Sequence, residues 1–247
     1  MIAADTTGLW ADTEIRMSPD PFCTSCKIAA ISKQPRSKEP LKPKGPLKWV
    51  FLDIIPSPHS KSINKETSFA NYLLIVDAYS RTPRLYGLEE STTEAVMDKL
   101  DEFQARYGKV DAFGWWDMER ITADAGPQFT SQEFKEGCQV RGVRLSLAAP
   151  EHQEMNGLAE VTWRTICTLA HSMMVHARVD ESFTHHALIY AAHHIVPVLP
   201  LKDLEDEQGN PVTPHELMTG EKAKICHLWT LFCPVIVKKH TSQYKGK

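Results

Sequence analysis

Residues 47–55 read LKWVFLDII, a short apolar run that stops at Pro56 and predicts a buried β-strand. Two more apolar runs follow, NYLLIVDAYS at residues 71–80 and RLYGL at residues 84–88. The polar residues 57–68 between the first two runs predict a hairpin loop. Because consecutive strands with short connections usually pair in chain order, the pattern predicts a meander of three antiparallel strands.

The hydrophobic period changes to that of a helix after the third run. Apolar residues recur at helical spacing over 92–107, where Ser91 or Thr92 is expected to cap the start and Gly108 the end. The order of predicted elements, β-β-β-α-β-α-β-α-α, indicates an α/β domain with a mixed sheet. The remaining predicted elements are a strand at 118–124, a helix at 131–142 closed by Gly142, a strand at 143–149, a helix from about Asn156 to Ala177, and a helix at 183–196 that stops at Pro197.

Length and composition restrict the class of protein. The chain has 247 residues, of which 42% are hydrophobic, so a disordered tail and a disulfide-stapled mini-protein are excluded. We expect one core domain with flanking pieces. The sequence contains no run of eighteen apolar residues, so it predicts no membrane-spanning helix. The first twenty residues show no secretory signal.

The charge is unevenly distributed along the chain. Lys and Arg number 28 against 31 Asp and Glu, a net charge of −3. The stretch from Lys27 to Lys48 nevertheless holds seven basic residues and one acid, Glu39, and the last ten residues hold four lysines and no acid. Basic flanks beside an acidic body fit polyanion binding, and solvated linkers fit them equally well.

Three carboxylates stand out by their local context. Asp53 is expected to end the first strand, Asp124 the strand at 118–124, and Glu160 lies near the start of the long helix. Strand ends and helix starts converge at one edge of an α/β sheet. Three carboxylates there would suit a hard divalent cation such as Mg²⁺. The competing interpretation is three unrelated surface acids.

The motifs around these acids resemble a retroviral-type integrase core. They are WVFLDI with Asp53, DAYSR on the second strand, TADAGPQF with Asp124, and PEHQEMNGLAEVTWRTI with Glu160, and 35 residues separate the last two acids. The downstream TPHELMTGEK and HLWTLFCPVIV resemble the integrase region of a copia-type LTR retrotransposon polyprotein. The resemblance covers about residues 20–240. It implies a ribonuclease H-like fold with a five-stranded mixed sheet flanked by helices.

The resemblance also implies a function, which is DNA integration by strand transfer. In that reaction a 3′-hydroxyl of element DNA attacks a target phosphodiester. Asp53, Asp124 and Glu160 would be the catalytic residues and would hold Mg²⁺ or Mn²⁺, with two ions expected. The implied partners are double-stranded DNA, both element ends and target, and further copies of the chain. The implied place of action is the nucleus, after synthesis in the cytoplasm, with no membrane involved.

The family resemblance suggests four segments. Residues 1–26 correspond to the remnant of an N-terminal zinc module, 27–46 to a basic Pro-rich linker, 47–222 to the catalytic core, and 223–247 to the start of a truncated C-terminal module, predicted to contain one or two strands. The zinc module is represented by Cys23 and Cys26, and no histidine precedes them. Two thiolates do not complete a tetrahedral zinc site, so tight zinc binding by this chain alone is not expected.

Several other polar residues have two interpretations. Gln153, Asn156 and Arg164 are predicted DNA contacts by family analogy, and Arg164 lies one turn after Glu160, so it equally suits an ion pair with that acid. Asp77 either assists the metals or is a polar strand end. Cys138 and Cys167 are predicted to fill the core. The histidine pairs at 185–186 and 193–194 are predicted to be partly buried or solvated rather than metal ligands.

Three functions remain open on the sequence. An integrase catalytic core is the first, favoured by the complete set of three acids. A catalytically silent nucleic-acid-binding fragment of a decayed element is the second, favoured by the incomplete zinc motif. A nuclease acting on RNA–DNA hybrids is the third, and the retrotransposon-like downstream region argues against it.

Overall fold

The computed structural model contains a single five-stranded sheet. Its strand order is β3-β2-β1-β4-β5. The strands are β1 Trp49–Pro56, β2 Asn71–Asp77, β3 Pro83–Leu88, β4 Arg120–Ala123 and β5 Arg144–Leu147. The structure describes residues 43–57, 69–109, 116–148, 156–201, 203–206, 208–226 and 228–233.

The pairing of the strands confirms the predicted mixed sheet. β2 pairs antiparallel with both β1 and β3, which is the predicted meander. β4 is parallel to β1 and also to β5, because a helical crossover separates the strands of each parallel pair. Leu52 on β1 lies opposite Ala123, the last residue of β4. β1 continues beyond that point, paired only with β2.

The helices follow the predicted order with two differences. Thr92, rather than Ser91, caps the first helix by accepting a hydrogen bond from the Ala95 amide. A short helix that was not predicted begins at Pro127 and carries the fully buried Phe129 into the core. The helices are α1 Thr93–Tyr107, α2 Pro127–Thr130, α3 Gln132–Val140, α4 Gly157–Ala177, α5 Thr184–Tyr190 and α6 Pro214–Thr219.

The helix predicted at 183–196 is not continuous. A single 3₁₀ turn, Glu181–Phe183, precedes α5, and a π-helical turn, Ala191–Ile195, follows it before a second 3₁₀ turn at Val196–Val198. Pro197 explains the change, because its ring has no amide hydrogen and clashes with the carbonyl four residues earlier in a regular helix.

The sheet is covered on both faces, and alternate residues of each strand supply two separate cores. Leu52 packs on the side of α1, α2 and α3, where the core includes Leu100, Phe129, Phe134 and the buried Cys138. Phe51 packs on the side of α4 and α5. Each large apolar side chain buried in this way contributes about 1.5–3 kcal/mol. Cys167 packs against the second core but is only half-buried.

Several predictions fall partly or wholly outside the described residues. These are the remnant zinc module with Cys23 and Cys26, the linker up to residue 42, and the hairpin loop from residue 58 to 68. The prediction of strands in the C-terminal segment is wrong for residues 228–233, which contain no strand and form a turn at 231–232, and residues 227 and 234–247 are not described. None of the helices described is long and apolar enough to cross a membrane.

Candidate catalytic carboxylate site

Asp53 lies within β1, as its fifth residue, so the prediction that it ends the strand is wrong. β1 extends to Pro56 because β2 continues to pair with it, with Asn71 opposite Pro56. On the other edge of β1, β4 stops opposite Leu52. Asp53 is therefore the first β1 residue beyond the end of its parallel neighbour.

Asp124 follows β4 directly and lies in register next to Asp53. Neighbouring strands are about 4.8 Å apart, so the two backbones bring these carboxylates to the same edge of the sheet. The Gly126 amide donates a 3.3 Å hydrogen bond to Asp124 Oδ1. Gly126 has φ −60°, which any residue adopts, so the turn does not need glycine for its backbone. Glycine is favoured at position 126 because there is little space for a side chain. An added Cβ would lie 3.1 Å from Asp124 Oδ1.

Glu160 lies in the first turn of α4, close enough to Asp53 for its charge to raise the pKa of that residue. The start of this helix is fixed by Asn156, whose side chain is only 5% exposed and donates a 3.0 Å hydrogen bond to the Leu52 carbonyl. This contact joins the residue before α4 to the residue before Asp53. The fold thereby brings the two predicted strand acids and the predicted helix acid together.

The pKa of Asp53 reflects the proximity of the other two acids. Burial and, to a smaller extent, the negative charges of Asp124 and Glu160 raise the pKa of Asp53 to about 6, whereas a hydrogen bond from the Ile54 amide opposes the shift. Asp53 is half-buried, and the other two acids are exposed. Three carboxylates that repel one another form a site that lacks positive charge.

The donor set fits a hard divalent cation, since Mg²⁺ prefers carboxylate and water oxygens. The three side chains are nevertheless not drawn into a closed ligand cluster. Within the part of the chain that the structure describes, no group of three or more His, Cys, Asp or Glu side chains has the arrangement of a metal site. Asp53, Asp124 and Glu160 are therefore the residues that would hold a cation, in a site that water would help to complete.

Asp77 does not belong to this site. It lies opposite Val50, three residues along β1 from Asp53, which corresponds to about 10 Å. Its fully buried carboxylate accepts hydrogen bonds from the Leu47 amide at 2.8 Å and from the Ser80 amide and hydroxyl at 2.7 and 2.8 Å. Burial raises the pKa of Asp77, and these hydrogen bonds oppose the rise. Its role is to hold the turn after β2.

The three predicted DNA contacts have different positions. Gln153 lies outside the described residues. Arg164 is exposed on α4, and among the described residues no ion pair joins it to Glu160, so the structure does not bear out that pairing. Asn156 is buried against β1 instead of facing outward, and DNA contact by its side chain stays a prediction. Asn156 is the residue that directly precedes α4.

One histidine of each pair, His185 and His193, is partly buried and the other is exposed, as predicted. His185 Nδ1 shares a 3.0 Å hydrogen bond with the Tyr72 hydroxyl, and the Leu85 amide donates one of 3.1 Å to His193 Nε2. Burial lowers the pKa of His185 to about 4 and that of His193 to about 3. Both rings are therefore neutral at physiological pH.

Comparison with protein families and sequences gives consistent matches. Residues 43–153 match the integrase core domain family, a range that includes Asp53 and Asp124 and ends before Glu160. The chain is 26% identical over 217 residues to the retrovirus-related Pol polyprotein from transposon TNT 1-94 of Nicotiana tabacum, covering 88% of this chain. It is 25% identical over 190 residues to that from transposon RE2 of Arabidopsis thaliana. The chain spans 15% and 12% of the lengths of these two relatives.

Comparison with solved structures identifies the fold. The HTLV-2 integrase catalytic core domain, solved in complex with magnesium in a dimeric form, superposes with a TM-score of 0.51 at 18% identity, over 71% of this chain and 99% of that one. A chain of the simian T-cell lymphotropic virus intasome, solved in complex with PP2A regulatory subunit B56 gamma, gives the same TM-score at 18% identity, over 79% of this chain and 61% of that one. The fold is the ribonuclease H-like fold of integrase catalytic cores, as predicted.

Proposed function

We propose that this chain integrates element DNA by metal-dependent strand transfer. The premise is that it carries an integrase core domain similar to those of plant retrotransposon Pol polyproteins. The proposal rests on the adjacency of three acids at one edge of the sheet. The pKa of Asp53 reflects this adjacency, because burial and the charges of the other two acids raise it to about 6. A site this rich in negative charge is suited to divalent cations, which when bound would attract a phosphate-bearing substrate.

The proposed reaction is an in-line displacement at phosphorus. A 3′-hydroxyl oxygen of element DNA forms a bond to a target phosphorus, and the bond between that phosphorus and the target 3′-oxygen breaks. The attacking hydroxyl loses its proton to solvent, and the departing oxygen gains one. No covalent enzyme intermediate is needed, so a site of carboxylates without a nucleophilic Ser or Cys is sufficient.

Each residue of the site has a distinct part in this proposal. Asp53, Asp124 and Glu160 would hold Mg²⁺ or Mn²⁺, and the expected pair of ions would supply activation of the hydroxyl and stabilisation of the leaving oxygen. Asn156 is a positioning residue, because its hydrogen bond to Leu52 sets the start of α4 relative to Asp53. Arg164, which is exposed one turn after Glu160, would contact a DNA phosphate in this proposal.

The partners in this proposal are double-stranded DNA, as element ends and as target, and further copies of the chain. The magnesium complexes of the HTLV-2 core, in dimeric and trimeric forms, support both the cation and self-association by analogy. Integration into chromosomal DNA would place the activity in the nucleus.

A joining assay tests the proposal. The chain is incubated with short duplex DNA in the presence of Mg²⁺ or Mn²⁺, and strand transfer and the reverse disintegration reaction are both measured. Asp124→Asn and Glu160→Gln should each lower the rate by at least about 100-fold, since they remove cation ligands. Glu133→Gln is the matched control, because Glu133 is also an exposed glutamate in the first turn of a helix. Equal activity in all four proteins would overturn the proposal.

A further inference from the structure

A second charged feature lies at the opposite end of the sheet from the carboxylates. The parallel strands β1, β4 and β5 begin there, with Trp49, Arg120 and Arg144 in register across them. Trp49 is four residues from Asp53 along β1, which corresponds to about 13 Å. The two ends of the sheet therefore present separate surfaces.

This end of the sheet contains a groove of about 370 Å³. Its lining includes four cations and one acid: Lys44, Lys48, Arg120, Arg144 and Glu119. Lys48 Nζ lies 3.2 Å from Glu119 Oε1, so that acid is already paired within the groove. No described acid forms an ion pair with any of the other three cations. The groove consequently has an excess of unneutralised positive charge.

Arg120 is held in a fixed position within the groove. Its guanidinium carbon lies 4.5 Å from the centre of the Trp49 ring, and its Nη2 donates a 3.0 Å hydrogen bond to Ser146 Oγ. Trp49 Nε1 in turn donates to Thr122 Oγ1 at 2.8 Å. A preorganised guanidinium loses less side-chain entropy when it binds an anion than a free one does.

The chemistry of the groove favours a backbone phosphate over a nucleotide base. The Trp49 ring contacts Arg120 and also stacks with Phe51 at 5.0 Å, so it is already engaged and is not a free platform for a base. Separate guanidinium and ammonium groups, in contrast, match the regularly spaced charges of a phosphodiester chain. In the sequence, the basic stretch from Lys27 to Lys48 ends with two residues of the groove, Lys44 and Lys48.

We infer that this groove, lined by Lys44, Lys48, Arg120 and Arg144, is a second binding surface for the phosphodiester backbone of DNA. It is separate from the carboxylate edge and independent of divalent cations. The choice of DNA as the polyanion rests on the proposed function. The groove would hold a stretch of DNA away from the reacting phosphate and would not select its sequence.

The test is DNA binding in EDTA, measured by fluorescence anisotropy with a labelled duplex over a range of salt concentrations. The double variant Lys44→Glu/Arg144→Glu reverses two exposed cations that have no described acid partner. It should weaken binding by at least about 10-fold and lower the slope of log affinity against log salt by about 1.8, or 0.9 for each lost phosphate contact. Lys135→Glu, an exposed cation on α3, is the control and should behave like the unaltered chain. Thermal melts establish that the variants are folded.

The outcomes separate this inference from the proposed function. Equal DNA affinity in the double variant and the Lys135→Glu control would overturn it. If the double variant lost binding to polyglutamate but kept its affinity for DNA, the inference would also be overturned. The ligand of the groove would then be an acidic peptide. Absence of joining activity in the unaltered chain would contradict the proposed function and leave the binding result unaffected.

Discussion

Asn156 Nδ2 donates a 3.0 Å hydrogen bond to the carbonyl oxygen of Leu52, the residue immediately before Asp53. Asn156 directly precedes α4, and Glu160 follows one helical turn later. A single buried contact therefore sets the position of the helix acid relative to the strand acid. Asn156 Oδ1 is also buried and accepts no hydrogen bond from the described residues. The side chain is therefore kept in place by packing and by the single hydrogen bond from Nδ2.

Replacing Asn156 by Ala should affect joining activity more than stability. The loss of one buried hydrogen bond costs about 1 kcal/mol of the free energy of unfolding, and removal of the unpartnered Oδ1 offsets part of it. Strand transfer should fall by at least about 10-fold, because small misplacement of reacting groups is costly. Urea titration and joining rates measure the two effects, with the exposed Asn210→Ala as control. A rate loss no larger than the loss of folded protein would contradict the positioning role.

Neutralising Asp53 should stabilise the metal-free protein. The pKa of Asp53 is raised to about 6 from 3.8, so the ionised carboxylate opposes folding at neutral pH. Asp53→Asn removes that charge and should raise the melting temperature at neutral pH in EDTA. Mg²⁺ should raise the melting temperature of the unaltered chain but not that of Asp53→Asn. A lower melting temperature for Asp53→Asn in EDTA would contradict this account of the site.

Acid should destabilise the fold through His185 and His193. Burial lowers the pKa of His185 to about 4, helped by the charge of His186. Burial also lowers the pKa of His193 to about 3, helped by Arg84. Below about pH 6.5 these two histidines take up protons in the unfolded chain but not in the folded chain. Their contribution to the free energy of unfolding is therefore fully present above about pH 6.5 and is lost as the pH falls towards 4.

The measurement is the melting temperature as a function of pH for variants of these two histidines. His185→Gln and His193→Gln should each show a smaller loss of stability between pH 6.5 and 4 than the unaltered chain. The exposed His176→Gln serves as the control and should keep the original pH dependence. If the two core variants lose stability with acid as steeply as the control, the histidines do not cause the effect.

Two glycines near the site should respond differently to replacement by Ala. A Cβ on Gly126 would lie 3.1 Å from Asp124 Oδ1 and 3.2 Å from Gln128 Oε1, so Asp124 must shift. Gly126→Ala should lower joining several-fold while the protein stays folded. A Cβ on Gly157 meets nothing within 4 Å, so Gly157→Ala should keep its activity and gain about 0.5 kcal/mol of stability. Similar activities for the two variants would show that the space beside Asp124 is unimportant.

The sequence predicts most of this fold because the hydrophobic period is clear in each element. The continuous apolar run of β1 and the helical spacing in α1 mark those elements by themselves, and the parallel ends of β1 and β4 make the meeting of Asp53 and Asp124 predictable. The position of Asp53 within its strand was not predictable, since pairing with β2 extends β1 to Pro56. Burial of Asn156 depends on the Leu52 carbonyl, 104 residues earlier in the chain, and no local pattern encodes that contact.

The most direct test of the central claim is a Mn²⁺ titration followed by the electron paramagnetic resonance signal of the free ion. It compares the unaltered chain with Asp53→Asn, Asp124→Asn and Glu160→Gln. If the three carboxylates form one cation site, each single variant should bind Mn²⁺ at least about 10-fold more weakly. Mn²⁺ affinity in all three variants equal to that of the unaltered chain would contradict the claim.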